Sequence, residues 1–294
     1  GSANATACSH VFHKPGADGT GKMADRGPDT TISGERNVTD LSQFPITARW
    51  PAAHPDRIQL YSYPTPNGVK AAIALEEMGL PYELKPVNIG VGEQFEPAFL
   101  KISPNNRMPA IVDPDGPGGQ PISVFESAAI LQYLGRKTGQ FYPADERARV
   151  EVEQWLFWQM GGLGPMAGQA HHFRSYAQKI EPDESKLEYG KQRYTNEVNR
   201  LYGVLERALS DGREYVAGEY SIADMAIWPW ILPEGQGQNL DDFPKLKAWV
   251  ERVGARPAVK AGRAVGNDLR SNLADDSEQM KKARAVLFGQ TAKT

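Results

Sequence analysis

Cysteine is almost missing from this chain, with one, Cys8, among 294 residues. A single cysteine excludes an internal disulfide framework. The N-terminus also lacks the basic stretch and apolar run of a secretory signal, so the expected location is cytoplasmic. Histidine is scarce, five in all, and the adjacent pair His171-His172 has no metal-ligand spacing around it, so no zinc site is expected. Long apolar runs are absent as well. The longest, Met225 to Leu232, is too short for a bilayer and is broken by Pro229, so no membrane span is expected. The net charge is only −3, which gives no electrostatic reason to expect nucleic acid. No Gln/Asn-rich, aggregation-prone head is present. Small-molecule or protein partners are left.

What is present is the composition of a folded protein, 40% hydrophobic and 23% charged, in a length that holds about two domains. The chain is organised around residues 57 to 79. Ile58 and Leu60 alternate with polar neighbours as in a half-buried strand, Ser62 to Pro64 break that pattern, and a helix follows. Thr65 suits the N-cap, Pro66 the first helical position and Gly79 the far end. Val69, Ala72 and Ile73 give this helix one apolar face. A helix start directly behind a strand presents free backbone N–H groups and a positive dipole end, an arrangement that binds anions.

From residue 57 the pattern predicts strand, helix, strand (82–87), helix (near 95–100), strand (110–113), strand (122–124) and helix (127–137), which is βαβαββα. The Asp113-Pro-Asp-Gly-Pro-Gly-Gly119 run is a turn short enough for a hairpin. A Gly- and Pro-bearing linker follows at 138 to 144, and everything after it reads helical. The second part carries an aromatic helix around Trp155 and Trp158, a Gly-Pro interruption at Gly161 to Pro165, and an amphipathic helix over 184–210 whose Val198, Leu201, Leu205 and Leu209 are core. Ser221-Ile-Ala-Asp224 is a capping box with a folding role. The organisation is therefore an N-terminal leader and extended arm (1–56), an α/β domain (57–138), an all-helical domain (145–265) and a tail (266–294). Met23 is read as the natural start. Phe44, Ile46 and Trp50, among three prolines, are expected to pack as an extended arm near the active cleft, with the other subunit a candidate surface.

Eight motifs in this order carry a resemblance: Thr65-Pro-Asn67-Gly, Gln94-Phe within Gly-Glu-Gln-Phe-Glu-Pro, the Met108-Pro109 loop, Phe-Glu126-Ser127, Trp155-Leu-Phe-Trp158-Gln, Gly161-Gly-Leu-Gly-Pro165-Met, His171-His172-Phe and Ser221-Ile-Ala-Asp224. Residues from about 57 to 265 resemble a cytosolic-type glutathione transferase, specifically the bacterial Nu class. The resemblance implies a thioredoxin-like N-terminal domain, an all-helical C-terminal domain, a two-fold homodimer and glutathione as co-substrate, one or two per subunit.

The reactive group would be the glutathione thiol, whose reference pKa of about 8.5 leaves little thiolate at neutral pH. Lowering that pKa by about two requires roughly 2.7 kcal/mol of preference for the anion. A helix dipole supplies about 0.3–1 kcal/mol and a hydrogen bond to a charged acceptor about 1.5–3 kcal/mol, so the dipole alone falls short. The Thr65 hydroxyl and the Asn67 amide are the donors at this helix start, with Tyr61 and Tyr63 as rivals, and the resemblance implies the catalytic role for Thr65 and Asn67. It also implies a cis bond before Pro109, with Met108 pairing to the ligand through its backbone. Ser127 is expected on the γ-glutamyl carboxylate, Glu126 on its ammonium and Gln94 at that same end. Arg193 is expected on the carboxylate of a second glutathione. Gln169, His171, His172, Phe173 and Tyr176 are expected to overhang the thiol and shape the acceptor pocket.

With no cysteine near the Thr65 corner, any thiol-disulfide chemistry must use bound glutathione as the attacking thiolate. The expected activity is glutathione-dependent disulfide reduction. A conjugating transferase or thioether-cleaving lyase acting on a small electrophile is the alternative, and a non-catalytic binding or regulatory module on the same fold is the third reading.

Overall fold

The computed structural model describes residues 41–270 and 273–292. The expectations for Cys8, Met23 and the rest of 1–40 lie outside them. The elements run α1 (Ile46–Arg49), β1 (Ile58–Ser62), α2 (Pro66–Glu77), β2 (Tyr82–Pro86), α3 (Pro97–Leu100), β3 (Ala110–Asp113), β4 (Ile122–Phe125) and α4 (Ser127–Thr138). Then come α5 (Glu146–Trp158), α6 (Gly164–Ser175), α7 (Glu184–Ala208), α8 (Ile222–Ile227), α9 (Pro233–Gln236), α10 (Pro244–Ala255), α11 (Pro257–Ala264) and α12 (Glu278–Phe288). No strand follows β4 among the described residues; Tyr215, Ala217, Gly218 and Glu219 form only isolated bridges. None of the described helices is long and apolar enough to cross a membrane.

The strands form one sheet in the order β2-β1-β3-β4. β1 pairs parallel with β2 and antiparallel with β3, and β3 pairs antiparallel with β4, with Ile111 opposite Val124. This is the thioredoxin-like arrangement. The prediction of a half-buried β1 is corrected, because every residue of β1 is buried. Ile58 and Leu60 face the main core, while Tyr61 belongs to a second cluster on the opposite face with Val87, Phe99, Ile102, Met108, Ala110 and Val112. Gln59, fully buried, donates its side-chain amide to the carbonyls of His54 and Arg57, while its side-chain oxygen has no partner among the described residues.

That second cluster is closed by residues 41–56, and this corrects the picture of the arm. The segment is not wholly extended: it forms the single turn α1, and Leu41 and Ile46 are buried, with Phe44 and Trp50 packed beside them against the chain's own sheet. Arg49 anchors the turn by donating to Glu96 at 2.7 Å and Glu93 at 3.2 Å. The apolar residues of this described part of the arm therefore have a home within the same chain.

α2 is also more enclosed than a one-face pattern implies. Gly68 through Leu75 are all buried, because α4, α8 and α11 pack around the helix. Gly68 has to be glycine: a Cβ there would stand 2.0 Å from the Tyr63 carbonyl oxygen. The expected Gly-Pro interruption at Gly161 to Pro165 is absent as a break. Gln159–Leu163 instead form a π turn that joins α5 to α6, and Pro165 enters α6 at a position where its missing N–H is harmless. The capping box at Ser221 is present, and Asp224 additionally accepts from the Val216 N–H and the Trp249 indole.

Candidate active site

Thr65 caps α2 by accepting from the Gly68 N–H at 3.3 Å, so its hydroxyl proton is free for another acceptor. The nearest is the Met108 sulfur, 3.6 Å away. Asn67, one residue inside the helix, accepts the Trp230 indole N–H on its side-chain oxygen at 3.0 Å, leaving its amide donors turned elsewhere. The rival phenols are engaged or buried: Tyr63 donates to the Leu269 carbonyl at 2.6 Å, and Tyr61 is fully enclosed beside Trp50. Burial raises the Tyr61 phenol far above its ordinary range.

Two cavities meet at this corner. One, of about 240 Å³, is lined by Asn67, Arg107, Met108, Pro109, Glu126 and Ser127 among others. The other, of about 510 Å³, takes in Thr65, Asn67, Gln94, Met108, Tyr176 and Trp230. Asn67, Arg107 and Met108 line both, so the two form a single groove across the end of the sheet. The Met108-Pro109 bond is cis, and Met108 borders the groove from the tip of β3. Glu126 has a positive φ of 71°, and Ser127 behind it opens α4 with its backbone N–H at the helix start.

Of the residues expected on the acceptor side, Gln169 and Tyr176 line the larger cavity. His172 stands behind, its ring edge-on to both Tyr176 and Phe288. Phe173 does not reach the groove, because it stacks on Tyr194 and covers Gly190 of α7. Burial lowers the pKa of His171 and His172 and raises that of Tyr176. Gln94 is buried and lines the larger cavity, at the Thr65 side rather than beside Glu126 and Ser127, and its side-chain oxygen has no partner among the described residues. Arg193 lines neither cavity. It is exposed on α7 with Glu197 one turn away at 3.8 Å, since the buried stripe of that helix runs through Val198, Leu201, Tyr202 and Leu205. No cluster of metal-ligating side chains occurs among the described residues.

Several contributors were not assigned from the sequence. Trp230 sits in an apolar run that reads as core. Arg107, directly before the Met108-Pro109 loop, was given no role, and it lines both cavities. The tail supplies Leu273, Leu287, Phe288 and Gln290, with Phe288 stacked on Tyr176 at 5.1 Å. Lys70, buried inside α2, donates to Gln159 at 2.5 Å and to Ser127 at 3.4 Å.

Residues 57–136 match the glutathione S-transferase N-terminal domain and residues 170–261 the glutathione S-transferase C-terminal domain. The chain is 48% identical over 222 residues to the disulfide-bond oxidoreductase YfcG of Escherichia coli (strain K12), covering 74% of this chain and 98% of that protein. Among solved structures it is similar to a glutathione transferase from Pseudomonas putida with one glutathione disulfide bound per subunit, at 48% identity and TM-score 0.72, covering 77% of this chain and 99% of that one. A Burkholderia graminis glutathione transferase with two glutathione molecules bound per subunit is likewise 48% identical with TM-score 0.72, covering 78% and 96%.

Proposed function

Because the chain belongs to the glutathione transferase family, we propose that it is a glutathione-dependent disulfide reductase of the Nu-like kind, with bound glutathione as the reactive thiol. The observation that carries this reading is the continuous groove with polar groups at three points: Thr65 and Asn67 at one end, the Met108 backbone in the middle, Glu126 and Ser127 at the other. In this reading the Ser127 hydroxyl and the α4 N-terminus take the γ-glutamyl carboxylate, and Glu126 takes the ammonium. Met108 pairs with the cysteinyl backbone as an added strand would. The sulfur then lies by Thr65, whose free proton and the Asn67 amide stabilise the thiolate. Gln94 and Arg107 stand toward the glycyl end, and Arg193 is assigned to a second glutathione.

The chemistry balances without a protein thiol, and the described residues contain no cysteine. The first glutathione thiolate attacks one sulfur of a substrate disulfide, forming a mixed disulfide and expelling one substrate thiolate. A second glutathione thiolate attacks the glutathione sulfur of that intermediate, forming glutathione disulfide and expelling the other substrate thiolate. Two glutathiones are oxidised and one disulfide is reduced. The apolar wall of Trp230, Leu273, Leu287 and Phe288 favours a second reading, transfer of glutathione to a small apolar electrophile.

We place the protein in the cytoplasm as a homodimer, whose interface would use the exposed apolar residues Phe125 of β4 and Val150 and Phe157 of α5. The domain limits 57–138 and 145–265 belong to the same reading. Steady-state assays with a small dialkyl disulfide and with an aromatic halide, each with reduced glutathione, test the proposal. Reduction faster than conjugation supports the reductase, the reverse supports the transferase, and neither reaction overturns both.

A further inference from the structure

Lys70 is a cation where a helix interior has no use for one. It is 1% exposed, in the middle of α2. Among the described residues its ammonium touches only neutral groups: the Gln159 side-chain oxygen at 2.5 Å, the Met160 sulfur at 3.3 Å and the Ser127 hydroxyl at 3.4 Å, with the Trp230 ring 6.0 Å away. Among the described residues no carboxylate forms an ion pair with it. A buried charge without a counter-ion is strongly unfavourable, and an apolar side chain would fill this place at lower cost.

The geometry supplies a reason for keeping it. An ammonium only donates, so Ser127 accepts from Lys70 and must aim its own proton elsewhere. The acceptor available to that proton is the Met160 thioether at 3.6 Å, a weak one. An anion in the smaller cavity would be a far better acceptor, and it would sit one hydroxyl away from the buried charge. We propose that Lys70 is the buried counter-cation of the carboxylate that Ser127 holds, and that ligand binding is thereby coupled to proton uptake by this side chain. The inference rests on the glutathione reading above and assigns to that site a residue and a proton linkage beyond it.

Burial lowers the Lys70 pKa to about 7, opposed by the negative field of Glu126. Other charged groups on the elements packed around it are Arg136 and Lys137 on α4, Asp224 on α8, and Lys260 and Arg263 on α11; of all these only Glu126 acts appreciably on it. A bound carboxylate adds a second negative field and raises the pKa. The sign follows. At a pH well below the ligand-free value Lys70 is charged with or without ligand, so affinity is full and no proton is exchanged. Between the ligand-free and ligand-bound values binding takes up a proton, and affinity falls as pH rises through that window.

The test is calorimetric titration of the full chain with S-methylglutathione, whose blocked sulfur removes thiol ionisation from the proton count. At about pH 8, in two buffers of different ionisation enthalpy, the expected result is net proton uptake, shrinking toward zero near about pH 6. Lys70→Gln, which keeps an amide beside Gln159, is expected to bind about tenfold more weakly and to exchange no proton. Binding by the wild-type chain without uptake overturns the inference. So does a Lys70→Gln variant that loses affinity but keeps the uptake, which is what a merely structural lysine would give. If the wild-type chain does not bind S-methylglutathione at all, the glutathione reading itself fails.

Discussion

Trp230 donates its indole N–H to the side-chain oxygen of Asn67 at 3.0 Å, joining two residues 163 positions apart. An indole can only donate, so this bond decides which end of the Asn67 amide faces Trp230 and commits the two amide protons to the groove. Trp230→Phe removes the constraint while keeping an aromatic ring. It should lower kcat about five- to tenfold, the worth of one neutral hydrogen bond, with a smaller change in glutathione KM. Steady-state kinetics with saturating glutathione decide it. An unchanged kcat would mean that Asn67 needs no such orientation.

Thr65 has two tasks that separate by substitution. Its oxygen caps α2 and its proton faces the site. Thr65→Ala should destabilise the fold by about 1 kcal/mol through the lost cap. The same change should reduce turnover by about 10- to 100-fold through the lost charged hydrogen bond. Thr65→Ser should keep most of both. Thermal melts and rates for the pair check this; a Thr65→Ala variant that binds glutathione poorly yet turns over normally at saturation would contradict thiolate stabilisation.

Ile46 is fully buried in the cluster behind the sheet. Ile46→Ala should cost about 2–5 kcal/mol of stability, as large-to-small core changes do. The oligomeric state should stay as it is, because this part of the arm packs within the chain. Denaturant titration combined with light scattering separates the effects. Loss of a dimer without loss of stability would restore the picture of an arm laid on a partner.

Phe288 is 38% exposed and stacks on Tyr176 across the mouth of the larger cavity. Phe288→Ala should leave stability within about 1 kcal/mol and raise KM for an aromatic acceptor several-fold, while KM for glutathione moves little. Equal losses for both substrates would place the residue in glutathione binding instead.

What was legible in the sequence is what depends on near neighbours. Ala110–Asp113 reads correctly because a proline precedes it and a turn run follows, and Ser127 because a helix pattern begins there. The capping box Ser221 to Asp224 is likewise complete within four residues. What was not legible depends on contacts distant along the chain. Nothing near β1 indicates that residues 41–56 will cover its second face, so the strand reads as half-buried. Lys70 lies outside the apolar face of Val69, Ala72 and Ile73, and nothing near it in the sequence signals that Ser127 and the π turn will enclose it. Phe173 in the last turn of α6 and Tyr176 just past its end were assigned alike, yet the stacking of Phe173 on Tyr194 sends one away from the groove.

Glu126 holds φ 71° and ψ 121°, a backbone conformation in which a residue with a Cβ is strained by about 1–3 kcal/mol. Selection for thermal endurance alone would drift this position toward glycine, since the side chain caps nothing. A library of variants sorted only for resistance to heat should therefore enrich Glu126→Gly, and its members should grow sturdier as they lose their hold on the amino end of glutathione. On the proposed reading, the strain at Glu126 is what holding the ammonium of glutathione costs the fold.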